Sequence, residues 1–168
     1  MTISMYQASV PVFIRALNNL AGVLEKGVAH TEAKKIEQAV LINSRLYPDM
    51  FALVRQVQIT TDMVKGGAAR LAGLEPPVYA DAEVNFAELI GRIGKTSDYL
   101  KTFKPEQIDG SEMRAIALVN RFGTLNFTGQ DYLLSFVLPN LYFHGATAYN
   151  ILRHSGVELG KQDFLGKR

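Results

Sequence analysis

Apolar residues recur at steps of three and four through most of this chain, and the spacing predicts four long helical windows. The first runs from about Ile3 to Lys26, with Met5, Phe13, Leu17, Leu20 and Leu24 on one face. Pro11 fits a first turn or kinks a longer helix. In "KGVAHTEAK" the pattern breaks, and Thr31 is placed to cap a short helix over 32–38. The second window opens at "YPDMF", with Pro48 at a first helical position and Asp49 at the positive helix end. From there Met50, Val54, Val57, Thr61, Val64, Ala68 and Leu71 form the seam of a helix that packs in a bundle. Gly73 ends it and "EPP" prevents continuation. Asp81 is the expected cap of the third helix, whose buried face would hold Phe86, Leu89, Ile90, Ile93, Leu100 and Phe103. Pro105 and the Asp109-Gly110 pair stop it.

The period then changes. "EMRAIALV" and "TLNF" alternate apolar with polar or small residues around "NRFG", which predicts a two-stranded ribbon over 112–119 and 124–127. Such a ribbon is marginal alone and must lie against the helices. "TGQD" opens the fourth helix, which runs to about His154, kinks at Pro139 and stops at Gly156. The expectation is an all-α antiparallel four-helix bundle with a small β-hairpin between helices 3 and 4, one domain over 1–168.

Composition narrows the function classes. Of 168 residues, 48% are hydrophobic and 20% charged, as in an ordinary soluble protein. Eighteen basic against sixteen acidic residues give +2, with the basic ones scattered, so no nucleic-acid partner is expected. The chain has no cysteine, which removes disulfides, thiolate metal sites and thiol nucleophiles and fits a cytoplasmic location. The N-terminal stretch lacks a basic leader region, and Arg15 interrupts its apolar run, so it reads as mature protein. Tyr132 to Leu152 contains no Asp, Glu, Lys or Arg, and its length alone would permit a membrane span. Asn140 and His144 in its middle instead predict a central helix surrounded by protein, with no membrane partner.

Those two residues are also the start of the chemistry. They lie four positions apart and share a helix face, in the apolar setting of Leu141, Tyr142, Phe143 and Ala146. On the second helix Gln58, Asp62 and Lys65 make a polar strip at helical spacing. If the strips face each other, Gln58, Asp62, Asn140 and His144 form one cluster. A carboxylate on one imidazole nitrogen would fix the tautomer and raise basicity, as a general base or metal ligand requires. The alternative is a satisfied polar network that sets helix register. His30 and His154 read as surface residues. No phosphate loop is present, since "GKTSD" at 94–98 lacks the upstream glycine, and no Gly-x-Ser-x-Gly occurs.

"SRLYPDMFALVRQVQ", "ARLAG", "RIGKT" and "LPNLYFHGATAYNILRHSGVELGK" together resemble the domain-of-unknown-function family DUF1993, a branch of the DinB/YfiT-like superfamily of four-helix bundles. The resemblance covers nearly the whole chain and implies an up-down-down-up arrangement. It also implies a divalent metal on three histidines, one on the second helix and two spaced by four on the fourth, and thiol-dependent transferase, isomerase or hydrolase chemistry. His144 resembles the first of the fourth-helix pair, but Ala148 stands where the second would be. The second helix has no histidine, with Gln58 or Asp62 as the nearest polar residues. Only His144 and Asp62 would remain as metal ligands, and no cofactor is expected.

Three readings follow. The first is a metal-independent small-molecule pocket lined by Gln58, Asp62, Asn140, His144 and Tyr149. The others are a non-catalytic homodimeric assembly protein and a divergent metalloenzyme on His144 and Asp62. In the tail, Lys161 could reach an anion, while Phe164 and Leu165 are expected to strap the C-terminus onto the bundle.

Overall fold

A single turn, α1 (Met5–Ala8), leads into the long α2 (Val10–Lys34) in the computed structural model, which describes residues 2–120 and 123–166. There follow α3 (Gln38–Ile42), α4 (Leu53–Leu71), α5 (Phe86–Lys101), α6 (Pro105–Ile108), β1 (Ala115–Asn120) and β2 (Gly123–Thr128). A last run holds α7 (Gly129–Asp131), a π-helical turn (Tyr132–Val137), α8 (Leu138–His154) and α9 (Lys161–Leu165). Helices α2, α4, α5 and α8 form the bundle. In it α2 lies against α5 and α8, and α4 against the same two.

Two glycines reveal the directions. Gly27, late in α2, sits against Phe86 at the start of α5 and Leu152 at the end of α8. Gly67, late in α4, sits against Phe13 and Val137, at the starts of α2 and α8. Thus α2 and α8 run one way and α4 and α5 the other, the expected up-down-down-up order. Parallel α4 and α5 need a long return. The 19 residues of α4 span roughly 28 Å. The connection from Ala72 to Asn85 retraces that length without helix, and Pro76-Pro77 keep it extended.

Several boundaries differ from the expectation. Thr31 donates its hydroxyl to the Val28 carbonyl at 2.7 Å instead of capping a new helix. Helix α2 therefore continues to Lys34 and closes through left-handed Lys35 (φ 54°). Pro48 does not start the second helix. The chain first folds back so that the Leu53 N–H reaches the Ser44 carbonyl at 3.0 Å. Asn85, not Asp81, caps the third, accepting from the Glu88 N–H at 2.9 Å.

The ribbon is antiparallel, with Ala115 opposite Thr128. Arg121 and Phe122, which fall in the expected turn, lie outside the described residues. Phe127 joins it to the bundle, 5.7 Å from the Tyr132 ring and 5.4 Å from that of Phe136. Thr128 caps the last helical run, and Gly156 (φ 93°) closes it. The kink expected at Pro139 takes the form of the π turn just before it. A proline ring collides with the carbonyl four residues back in regular α geometry, and the wider turn gives it room.

The core is apolar and spans all four helices, with Phe13, Leu17, Leu24, Leu53, Val57, Phe86, Leu89, Leu100, Leu133 and Leu152 buried. Among the described residues no helix is long and apolar enough to cross a membrane. One contact has no slack. A Cβ on buried Gly129 would stand 1.9 Å from the Ser111 carbonyl oxygen. Gly129→Ala is expected to cost about 1–3 kcal/mol, read by urea denaturation.

Candidate functional site

The site begins with an amide. Gln56 lies in the first turn of α4 with 1% of its surface exposed, and its Nε2 donates to the Phe51 carbonyl at 3.0 Å. That fixes the other end of the amide as an acceptor. Oε1 lies 2.7 Å from Nδ1 of His144 on α8, so Nδ1 carries the proton and donates. In the neutral ring Nε2 is then left with its lone pair. Burial, and secondarily the positive charge of Arg55, hold the imidazole below its usual pKa. Phe143, 58% exposed, stands edge-on to it at 5.1 Å.

A depressed folded-state pKa means that the unfolded chain takes up the proton more readily. The contribution of His144 to stability is present above the unfolded value of about 6.5 and lost as pH falls through the folded one. Between pH 7 and pH 5 the native protein should lose more stability than the His144→Gln variant, as read by urea denaturation at each pH.

The single polar cluster read from the sequence is instead divided among several environments. Asp62 accepts from Lys65 at 2.8 Å and from Arg92 at 3.0 Å. Gln58 donates to Glu83 at 2.9 Å and accepts from Arg55 at 3.3 Å. Both side chains therefore turn to α5 and the 72–85 connection. No hydrogen bond or ion pair among the described residues joins Asp62 to His144. Asn140 donates to the Phe136 carbonyl at 2.8 Å, one turn back. Tyr149 packs on Phe164 of α9 at 6.0 Å. His154 is exposed and His30 half-buried.

The hub of the second network is Arg92 on α5, which the sequence reading did not single out. Its side chain is 2% exposed and pairs with Asp62, Asp81 at 3.1 Å and Glu83 at 3.0 Å. Its Nε also donates to Thr61 at 2.7 Å, and Nη1 donates to the Ala80 carbonyl at 2.8 Å. Arg55 adds a further ion pair to Asp81. Burial alone would raise the Glu83 pKa, but hydrogen bonds from Gln58 and Arg92 outweigh it and hold the carboxyl below its ordinary range. Burial opposes the charge on Arg92 too, and the three carboxylates more than restore it. Tyr79 lies beneath Lys65, 3.8 Å from ring centre to Nζ, with Lys95 at 4.1 Å. This network pins the connection to both down-running helices.

The sequence profile described as "Domain of unknown function (DUF1993)" matches residues 5–165. The chain belongs to the DUF1993 family. Among solved structures, this DUF1993 chain is similar to the crystal structure of a DinB family member protein from Shewanella denitrificans. The two are 40% identical with a TM-score of 0.89, over 97% of this chain and 92% of that one. The fold is DinB-like. No curated protein matches it.

The superfamily's three-histidine metal centre does not fit the residues present. Ala148, at the second histidine position of α8, is wholly buried, and α4 offers His144 the amide of Gln56. Asp62 is engaged by two cations. Among the described residues no three His, Asp, Glu or Cys side chains gather as a metal would require.

Proposed function

We propose that this DUF1993 protein binds a small molecule at the α4–α8 seam without a metal, with His144 as the proton-accepting group. The Gln56–His144 hydrogen bond carries the reading. A neutral imidazole held by a fixed amide presents Nε2 to a ligand's N–H or O–H, and if the bound molecule reacts, the same atom is the general base. Phe143 beside the ring supplies an apolar surface for the ligand's body. This is chemistry on a DinB-like frame with the metal's role passed to one imidazole.

Diethyl pyrocarbonate tests the reading because it acylates unprotonated, accessible imidazole. At pH 6 His144 should be modified several-fold faster than solvent-exposed His154, as mapped by peptide mass spectrometry. Modification of His154 with His144 untouched would contradict it.

A second reading has its own support. Phe51, Tyr142 and Phe143 are each about half exposed, and a second copy of the chain covering them would make a homodimer. Light scattering across a concentration series distinguishes the two states. A single-domain, cytoplasmic protein is the setting we propose for either reading.

A further inference from the structure

A cavity of about 300 Å³ lies between α2, α8 and α9, with Thr60 of α4 also on its wall, and His144 is not among its lining residues. Its walls are mainly apolar, with Ala16 and Leu20 from α2, Leu141 from α8, and Phe164 from α9. Gly145, the α8 residue next to His144, faces it. A Cβ there would meet only the Phe164 ring, at an ordinary 3.8 Å, so packing does not demand glycine. Glycine inside a helix is destabilising, and here it leaves open space where a side chain would fit.

One end of the cavity is charged. Among the described lining residues Arg15 is the one cationic side chain and none is a carboxylate. One of its Nη2 hydrogens goes to the Leu165 carbonyl at 3.1 Å, leaving the rest of the guanidinium fork to take a carboxylate. Beside it Asn19 donates to the Phe164 carbonyl at 3.1 Å. The C-terminal wall is held independently, by the Lys26–Asp163 ion pair at 2.7 Å and the Tyr149–Phe164 contact.

We infer that this cavity is a binding site for an apolar monocarboxylate, its hydrocarbon body between α2 and α8 and its carboxylate on Arg15. A cavity of this size suits a short-chain or small aryl acid, not a long lipid. The site is separate from His144 and stands or falls without it.

Octanoate, 1-octanol and octylamine share a chain length and differ in head group, so isothermal titration with the full-length protein isolates the role of Arg15. Octanoate should bind one to one, about tenfold or more tighter than 1-octanol, as expected for a charge-assisted hydrogen bond. Octylamine should be weakest. Arg15→Gln, an exposed change, should remove the preference while leaving 1-octanol binding as it was. Gly145→Leu should fill the cavity and abolish binding of both, with its circular-dichroism melt showing a folded protein. Amide shift changes on octanoate binding should centre on Ala16, Leu20 and Gly145. The inference is overturned if octanoate fails to saturate, binds no better than 1-octanol, keeps its preference in Arg15→Gln, or shifts amides elsewhere.

Discussion

Arg92→Ala should cost roughly 3–5 kcal/mol and lower the melting temperature by roughly 6–20 °C. Among the described residues the guanidinium is the one group that pairs with all three carboxylates drawn from α4 and the connection. Without it Glu83 loses its cation, while Asp62 keeps Lys65 and Asp81 keeps Arg55, beside a buried gap. Asp62 and Asp81 are each about a third exposed and recover some hydration, whereas Glu83, 13% exposed, recovers little. Thr61 also loses the donor to its hydroxyl. Urea denaturation measures the cost, and a loss below 1 kcal/mol would mean that the network is ornamental. The pH dependence provides a second readout. The Glu83 pKa is depressed in the fold, so its contribution is present above about 4.5 and lost as pH falls through the folded value. The variant should be less sensitive than the native protein below pH 5.

Phe86→Ala should be comparably severe, at roughly 3–5 kcal/mol. Phe86 is wholly buried in the first turn of α5, and its ring faces Gly27 of α2, where Leu152 of α8 also converges. A Cβ on Gly27 would lie 3.0 Å from that ring, with Leu152 at 3.4 Å. Groups from three helices therefore meet at Gly27, and removal of the ring opens a void there. Its N–H is independently bound to Gln38 Oε1 at 3.1 Å, so the backbone cap should survive the substitution. A lost melting transition or a urea midpoint shifted by that amount fits this packing. A change within 1 kcal/mol would contradict it.

The bundle was legible because α2 and α5 each bury a clear stripe, and because Gly73, Pro76-Pro77, Pro105 and Gly156 punctuate the chain. The caps were less so. Asp81 and Asn85 both offer a capping oxygen, and only the tertiary demand of Arg55 and Arg92 for Asp81 decides between them. The candidate site failed for a geometric reason. Helix α4 is buried around most of its circumference, Gln56, Gln58, Thr60 and Thr61 included. Periodicity then does not tell which polar strip meets α8. Residues 58 and 62 form a real strip, but it belongs to α5 and the connection, while Gln56 and Thr60 lie toward α8 and its neighbours. Six positions separate 56 from 62, about 240° around the helix. The available signal was the buried-face pair Gln56 and Thr60, four apart in "RQVQIT". Asn140 shares the face of His144, yet its amide is taken by the Phe136 carbonyl one turn back.

Nitrogen-15 NMR of the imidazoles tests the central claim most directly. Burial and the charge of Arg55 hold His144 below its ordinary pKa, so its midpoint should fall below the usual imidazole value of 6.5. At pH 7 its Nδ1 should be protonated and its Nε2 bare, and Gln56→Ala should release that tautomer preference. A His144 ring that is protonated at pH 7, or neutral with its proton on Nε2, would contradict the account.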